Sequence, residues 1–141
     1  MAPREYKSSL TRYVIEGPYK SSVGDVSVLR CEGFMDPHTL DKFEEELMSL
    51  VSRKEHAVLD MAKVLYLASA VAGAMVSNET FFRDDSLEIL LIGMQPQVAR
   101  VFEVLSLDKV FAAYATIDEA LKEEDPTKRA VLEAVKEQFG A

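Results

Sequence analysis

The sequence is poor in the residues that carry covalent or metal chemistry. Its 141 residues include one cysteine, Cys31, and two histidines, His38 and His56. A lone thiol excludes an internal disulfide and a cysteine metal cluster, so the fold must stand on packing. Cys31 reads as a small buried hydrophobe in a strand. His38 falls in the first turn of a helix and His56 in a polar loop, with no nucleophile or metal ligand beside them. Surface positions are expected for both. Also missing are a GxxxxGK[ST] loop, a GxGxxG after a strand and a nucleophile elbow. Nucleotide binding and hydrolase chemistry therefore have no support. The expectation is a protein that is not an enzyme, with no catalytic residue, cofactor or metal site. Asp84-Asp85 reads as a solvated turn.

Long hydrophobic runs are absent too. No stretch approaches the roughly 20 apolar residues that cross a bilayer, so membrane insertion is not expected. The segment Met1-Ala2-Pro3-Arg4-Glu5-Tyr6-Lys7 has no apolar core of a secretion signal, which points to a cytoplasmic location. Positive charge is in deficit, with 16 Lys and Arg against 24 Asp and Glu, a net charge of −8. Such a surface repels a phosphate backbone, and direct nucleic-acid binding is not expected. Glu44-Glu45-Glu46, Glu119, Glu123-Glu124 and Glu133 read as solvated helix faces.

What is present is core material. Hydrophobic residues make up 48% of the chain, enough for one domain over residues 1–141. Residues 1–8 are polar and aperiodic, and a first strand runs from Thr11 to Ile15 and stops at Gly17-Pro18. Val26, Val28 and Arg30 alternate with Ser27, Leu29 and Cys31, the period of a strand. Asp36-Pro37 starts a helix whose Leu40, Phe43, Leu47 and Leu50 form one apolar stripe. Ala57 to Met61 is a buried strand, and a second apolar run, Val64-Leu65-Tyr66-Leu67, reaches Ala68-Ser69. A helix of small side chains follows from Ser69 to about Phe82. Leu87 to Gly93 reads as a central strand covered on both faces. Pro96 opens a helix with Val98, Val101, Phe102 and Leu105 at helical spacing, and Val110 to Tyr114 is a short strand. Thr116-Ile117-Asp118-Glu119 is a capping box. A last helix follows Asp125-Pro126, with Val131, Val135 and Phe139 as a narrow stripe. Alternating strands and helices predict an α/β fold with a mainly parallel sheet of four or five strands and about four helices. Leu40, Phe43, Leu47, Leu59, Ile89, Leu91, Val101 and Phe102 should share one core.

The junction at Ser69 places a hydroxyl where an apolar segment becomes a helix. Outward-pointing amides there could stabilise a phosphate on Ser69. Phosphorylation would add about −1.5 to −2 charges to an apolar surface and expel a docked partner. The plainer reading makes Ser69 an N-cap worth roughly 1 kcal/mol.

Three segments resemble the STAS domain family, which includes bacterial anti-sigma factor antagonists. Leu29-Arg30-Cys31-Glu32-Gly33-Phe34-Met35-Asp36 is similar to the family strand ending in Gly-x-x-Asp before the first helix. Val58-Leu59-Asp60-Met61-Ala62-Lys63-Val64 resembles its strand leading to the phosphorylation loop. Leu91 to Phe102, with Leu107-Asp108-Lys109-Val110-Phe111, resembles its last core strand, helix and turn. The resemblance implies a STAS-like mixed sheet with a core of about residues 11–122 and an additional C-terminal helix over 126–141.

In the family's antagonists the loop reads Asp-Ser-Ser-Gly, and a kinase that is also the anti-sigma factor phosphorylates the first serine. Ala68-Ser69-Ala70-Val71 stands there in this chain, so the acceptor is kept and the acid and glycine are not. The resemblance implies an antagonist that binds a kinase-type anti-sigma factor, of the histidine-kinase-like ATPase type. The implied partner-binding residues are Asp36, Ala68, Ser69, Ala70, Val71, Ala72 and Gly73, with Ser69 the phosphorylation site and Ala70, Ala72 or Gly73 forming a flat surface. The alternative is an unphosphorylated STAS scaffold, or a subunit of a signalling or transporter complex. The last helix has three roles open to it: covering the sheet, covering an exposed face, or joining two copies as a homodimer.

Overall fold

The computed structural model describes residues 3–8 and 10–139; Met1, Ala2, Gly140 and Ala141, at the ends of the expected domain, lie outside them. Six strands stand in one sheet in chain order: β1 (Arg4–Lys7), β2 (Thr11–Ser21), β3 (Gly24–Met35), β4 (His56–Leu67), β5 (Ile89–Ile92) and β6 (Ala112–Tyr114). β1, β2 and β3 pair antiparallel, and β3 to β6 run parallel. The mixed α/β class holds, while the count of four or five strands was one or two short. The helices are α1 (Leu40–Ser52), α2 (Ser69–Asp84), α3 (Pro96–Val104), α4 (Ile117–Ala120) and α5 (Pro126–Val135).

The strand missed by periodicity is β1, whose four residues Arg-Glu-Tyr-Lys carry no apolar alternation. As an edge strand it is held by its neighbours. Tyr6 stacks on Tyr13 at 5.9 Å, and Arg12 bridges Glu5 on β1 and Glu32 on β3. Such charges also discourage further strand pairing. β2 does not end at Gly17-Pro18. Its register shifts between Glu16 and Tyr19, and pairing then resumes to Ser21. β5 is shorter than the apolar run that announced it, and its four residues are all buried.

Both faces of the sheet are covered because the strands are apolar on both sides. One face carries Leu29, Cys31, Leu59, Met61 and Leu91 against Phe43 and Leu47 of α1, Val71 and Met75 of α2, and Val98 and Phe102 of α3. The other carries Val26, Val28, Val58, Leu90 and Ile92 against Ala120, Val131, Leu132 and Val135. Phe43, Leu47, Leu59, Ile89, Leu91 and Phe102 of the expected core belong to the first cluster. Leu40 packs at its margin, and Val101, expected in the core, is only half-buried and stands outside it. The C-terminal helix therefore covers the sheet. Arg30 fastens it: the guanidinium donates to Glu16 (2.9 Å), Asp60 (2.6 Å) and the carbonyl of Gln138 (2.7 Å), and lies 5.2 Å from the Phe139 ring centroid.

Two polar residues lie deeper than expected. His56 is buried at the start of β4, not in a surface loop: Nδ1 accepts from the Glu88 amide at 2.9 Å and Nε2 meets the Val23 carbonyl at 3.0 Å. Glu46, read as part of a solvated face, is buried and held by Lys42 at 3.1 Å. Cys31 is buried, and burial pushes its thiol well above the ordinary range.

Candidate partner-docking surface

The parallel strands β3, β4 and β5 end on one rim of the sheet, the usual place for binding groups in α/β folds. Their exits bring Asp36, Ser69 and Pro96 together there. Met35 lies opposite Leu67 in the register, and the Ala68 amide donates to the Met35 carbonyl at 2.9 Å. Asp36 thus sits beside the start of α2. Its carboxylate accepts from the His38 amide at 3.0 Å and caps a short 3-10 turn, Pro37–Thr39, ahead of α1.

Within β3, where the register with β4 shifts, Gly33 has a φ of +88°, and a Cβ there would lie 2.0 Å from the Leu10 carbonyl oxygen. Only glycine admits that approach. The same carbonyl accepts from the Phe34 amide at 2.9 Å.

The N-cap of α2 is Ala68, not Ser69. Ala68 has extended geometry and no side chain able to cap, and the amides of Val71 and Ala72 bond its carbonyl. Ser69 is the first helical residue and exposed, and its hydroxyl makes no hydrogen bond among the described residues. The reading of Ser69 as a helix cap is therefore corrected.

The other expected contact residues divide by helix face. Ala70 and Gly73 are exposed with Ser69, and no atom lies within 4 Å of a Cβ built on Gly73. Ala68, Val71 and Ala72 turn inward and are buried, which corrects the expectation that Ala72 presents a flat surface. Val71 and Ala72 belong to the core.

Exposed apolar residues that were not assigned to a surface from the sequence lie on the end of β4 that leads to Ser69 and on α3. The irregularity in the β3–β4 register between Gly33 and Phe34, which skips Leu65, lets Leu65 and Tyr66, about half exposed, both face outward between buried Val64 and Leu67. Tyr66 meets Phe34 edge to face at 6.4 Å. β5 pairs with β4 only as far as Asp60, and the β4 carbonyls beyond find side chains instead. Gln95 donates to Ala62 at 2.8 Å and Gln97 to Leu65 at 3.4 Å, tying the start of α3 to this segment. Between Ser69 and α3 lies a groove of about 330 Å³ lined by Gln97, Arg100, Val101, Val104 and Leu105. Val104 is 73% exposed. A sequence signal existed, since Val104 falls outside the α3 stripe that reaches the core. Asp60, the acid of the β4 segment, lies away from this groove, paired with Arg30 on the face covered by the C-terminal helix.

The fold is thus a mixed sheet with helices on both faces and a hydroxyl-bearing helix start on its carboxyl rim. Residues 19–120 match the STAS domain family, and the chain belongs to that family. Among solved structures, it is similar to the anti-sigma factor antagonist SpoIIAA in its unphosphorylated form. The TM-score is 0.65 at 16% identity, over 78% of this chain and 93% of that one. An anti-sigma factor antagonist from Mycobacterium paratuberculosis gives 0.63 at 22%, over 79% and 92%. The Bacillus cell fate determinant SpoIIAA in the phosphorylated form gives 0.59 at 15%, over 78% and 96%. At these identities the likeness is one of fold. No helix among the described residues is long and apolar enough to cross a membrane.

Proposed function

We propose that this protein is an anti-sigma factor antagonist-like regulator, not an enzyme, which binds a kinase-type anti-sigma factor in the cytoplasm through the rim around Ser69. Residues 1–141 act as one unit, with the C-terminal helix part of the fold. The uncommitted, exposed Ser69 hydroxyl beside a groove with apolar walls Val101, Val104 and Leu105 is the observation that carries this reading, together with membership of the STAS family. A phosphate there would meet the unpaired amides of the first turn of α2, which favour an anion. It would also set about two negative charges against any apolar partner surface, where desolvation and like-charge repulsion oppose docking. Asp36, Ala70 and Gly73 lie beside Ser69, whereas Ala68, Val71 and Ala72 shape the surface from beneath.

Replacement of the family's loop acid by Ala68 supports a second reading, a constitutive scaffold in which Ser69 is a contact and not a phosphorylation site. Affinity capture from the native cell separates the two. With wild type, Ser69→Ala and Ser69→Asp as baits, mass spectrometry should find a histidine-kinase-like ATPase on the first two and little on the third. Phosphorylation of Ser69 by that partner selects the switch over the scaffold. Identical captures on all three baits would remove Ser69 from the interface.

A further inference from the structure

We propose that the groove between the first turn of α2 and α3 anchors a partner segment that carries an apolar side chain next to a carboxylate. This rests on the docking role proposed for the Ser69 rim and names the chemistry that rim selects. The walls Val101, Val104 and Leu105 are apolar, and the polar positions are Ser69, Gln97 and Arg100. No acidic residue lines the groove, in a chain with a net charge of −8.

Arg100 is exposed and forms no ion pair among the described residues, although Glu103 follows one turn later on α3. Most cations elsewhere on the surface are committed, among them Lys54 to Asp85, Lys128 to Glu88 and Arg12 to Glu5 and Glu32. Lys7, Lys63, Lys109 and Arg129 also form no ion pair among the described residues, but none of them lines the groove, where Arg100 is the only charged residue. The groove therefore offers exposed apolar area beside an uncompensated positive charge. A basic segment would be drawn to most of this acidic surface and repelled at Arg100, while an acidic segment finds attraction here and repulsion over the rest. Complementarity of this kind sets specificity and register more than raw affinity.

The test uses the whole chain, isotopically labelled for NMR, and two 14-residue amphipathic peptides. Both carry Leu and Phe at helical spacing; one has Glu at the flanking positions and the other Lys. The Glu peptide should shift the amides of Ser69 and of residues 97–105 and bind about fivefold more tightly than the Lys peptide, the scale of an exposed charge pair. Arg100→Glu should reverse that preference, and Val104→Asp should abolish binding of the Glu peptide. Equal or tighter binding of the Lys peptide to wild type, shifts clustered elsewhere, or no shift at millimolar peptide would overturn the proposal. Titrations with the captured anti-sigma factor distinguish this failure from that of the docking role. If Ser69→Asp weakens binding while Arg100→Glu and Val104→Asp do not, the groove is wrong and the rim stands. If none of the three matters, both are wrong.

Discussion

Gly33 and Gly73 flank the proposed docking rim, and adding one methyl group to each should move stability in opposite directions. At Gly33 the substitution to Ala forces a φ of +88°, which costs an L residue about 1–2 kcal/mol. The new Cβ would also lie 2.0 Å from the Leu10 carbonyl oxygen, so the backbone must separate there. That puts the bond from the Phe34 amide at risk, and because Leu10 and Phe34 are exposed its loss costs only the net worth of a hydrogen bond, about 0.5–1.5 kcal/mol. Together Gly33→Ala should lose about 1.5–3.5 kcal/mol. Gly73 lies inside α2 with nothing within 4 Å of the added carbon, and Gly73→Ala should gain about 0.5–1 kcal/mol from helix propensity. Urea denaturation with a shared slope reads both values, and thermal midpoints should move by about 4 °C per kcal/mol. A loss under about 1 kcal/mol at Gly33, or the same sign at both positions, would refute the close approach of β3 to the Leu10 carbonyl.

Two further outcomes follow from the core and the C-terminal segment. Leu91 is fully buried in β5 between β4 and β6, so Leu91→Ala should cost about 2–5 kcal/mol in the same assay; an unchanged midpoint would mean that β5 is not a core strand. The Glu123 carboxyl is lowered by bonds from the Asp125 amide and the Tyr114 hydroxyl, and Asp125, the cap of α5, is lowered by the Lys128 amide. Lowered carboxyls stabilise the fold above the ordinary carboxylate range near pH 4 and lose that contribution as pH falls through their native values. The midpoint should therefore drop as pH is lowered from about 4.5, and Tyr114→Phe should shrink that drop; the same profile in the variant would count against the contact.

The readable parts of the fold were those where local chemistry and tertiary packing agree. The capping box is in place, with Thr116 accepting from the Glu119 amide at 3.1 Å, and Asp125-Pro126 starts α5. Alternation in β3 assigned Val28 and Leu29 to opposite faces, and each face has its own core. What escaped depends on partners distant in sequence. β1 exists because β2 offers Tyr13 and Arg12, and His56 is buried because Val23 and Glu88 supply its hydrogen bonds. At the rim, Ser69 was legible from its place after an apolar run. Leu65 and Tyr66 were not, because a register irregularity turns two successive apolar residues outward where strict alternation would expose one.

The central claim is that the rim around Ser69 is a docking surface for a kinase-type anti-sigma factor. Calorimetric titration of that partner, once captured, into wild type, Ser69→Ala and Ser69→Asp tests it most directly. Ser69 is exposed and its hydroxyl unbonded, so neither substitution should disturb the fold. Ser69→Ala should bind at least as well as wild type, and Ser69→Asp should raise the dissociation constant about tenfold, a penalty near 1.4 kcal/mol. Equal affinities for all three proteins would contradict the claim and leave Ser69 a solvent-facing residue outside the interface.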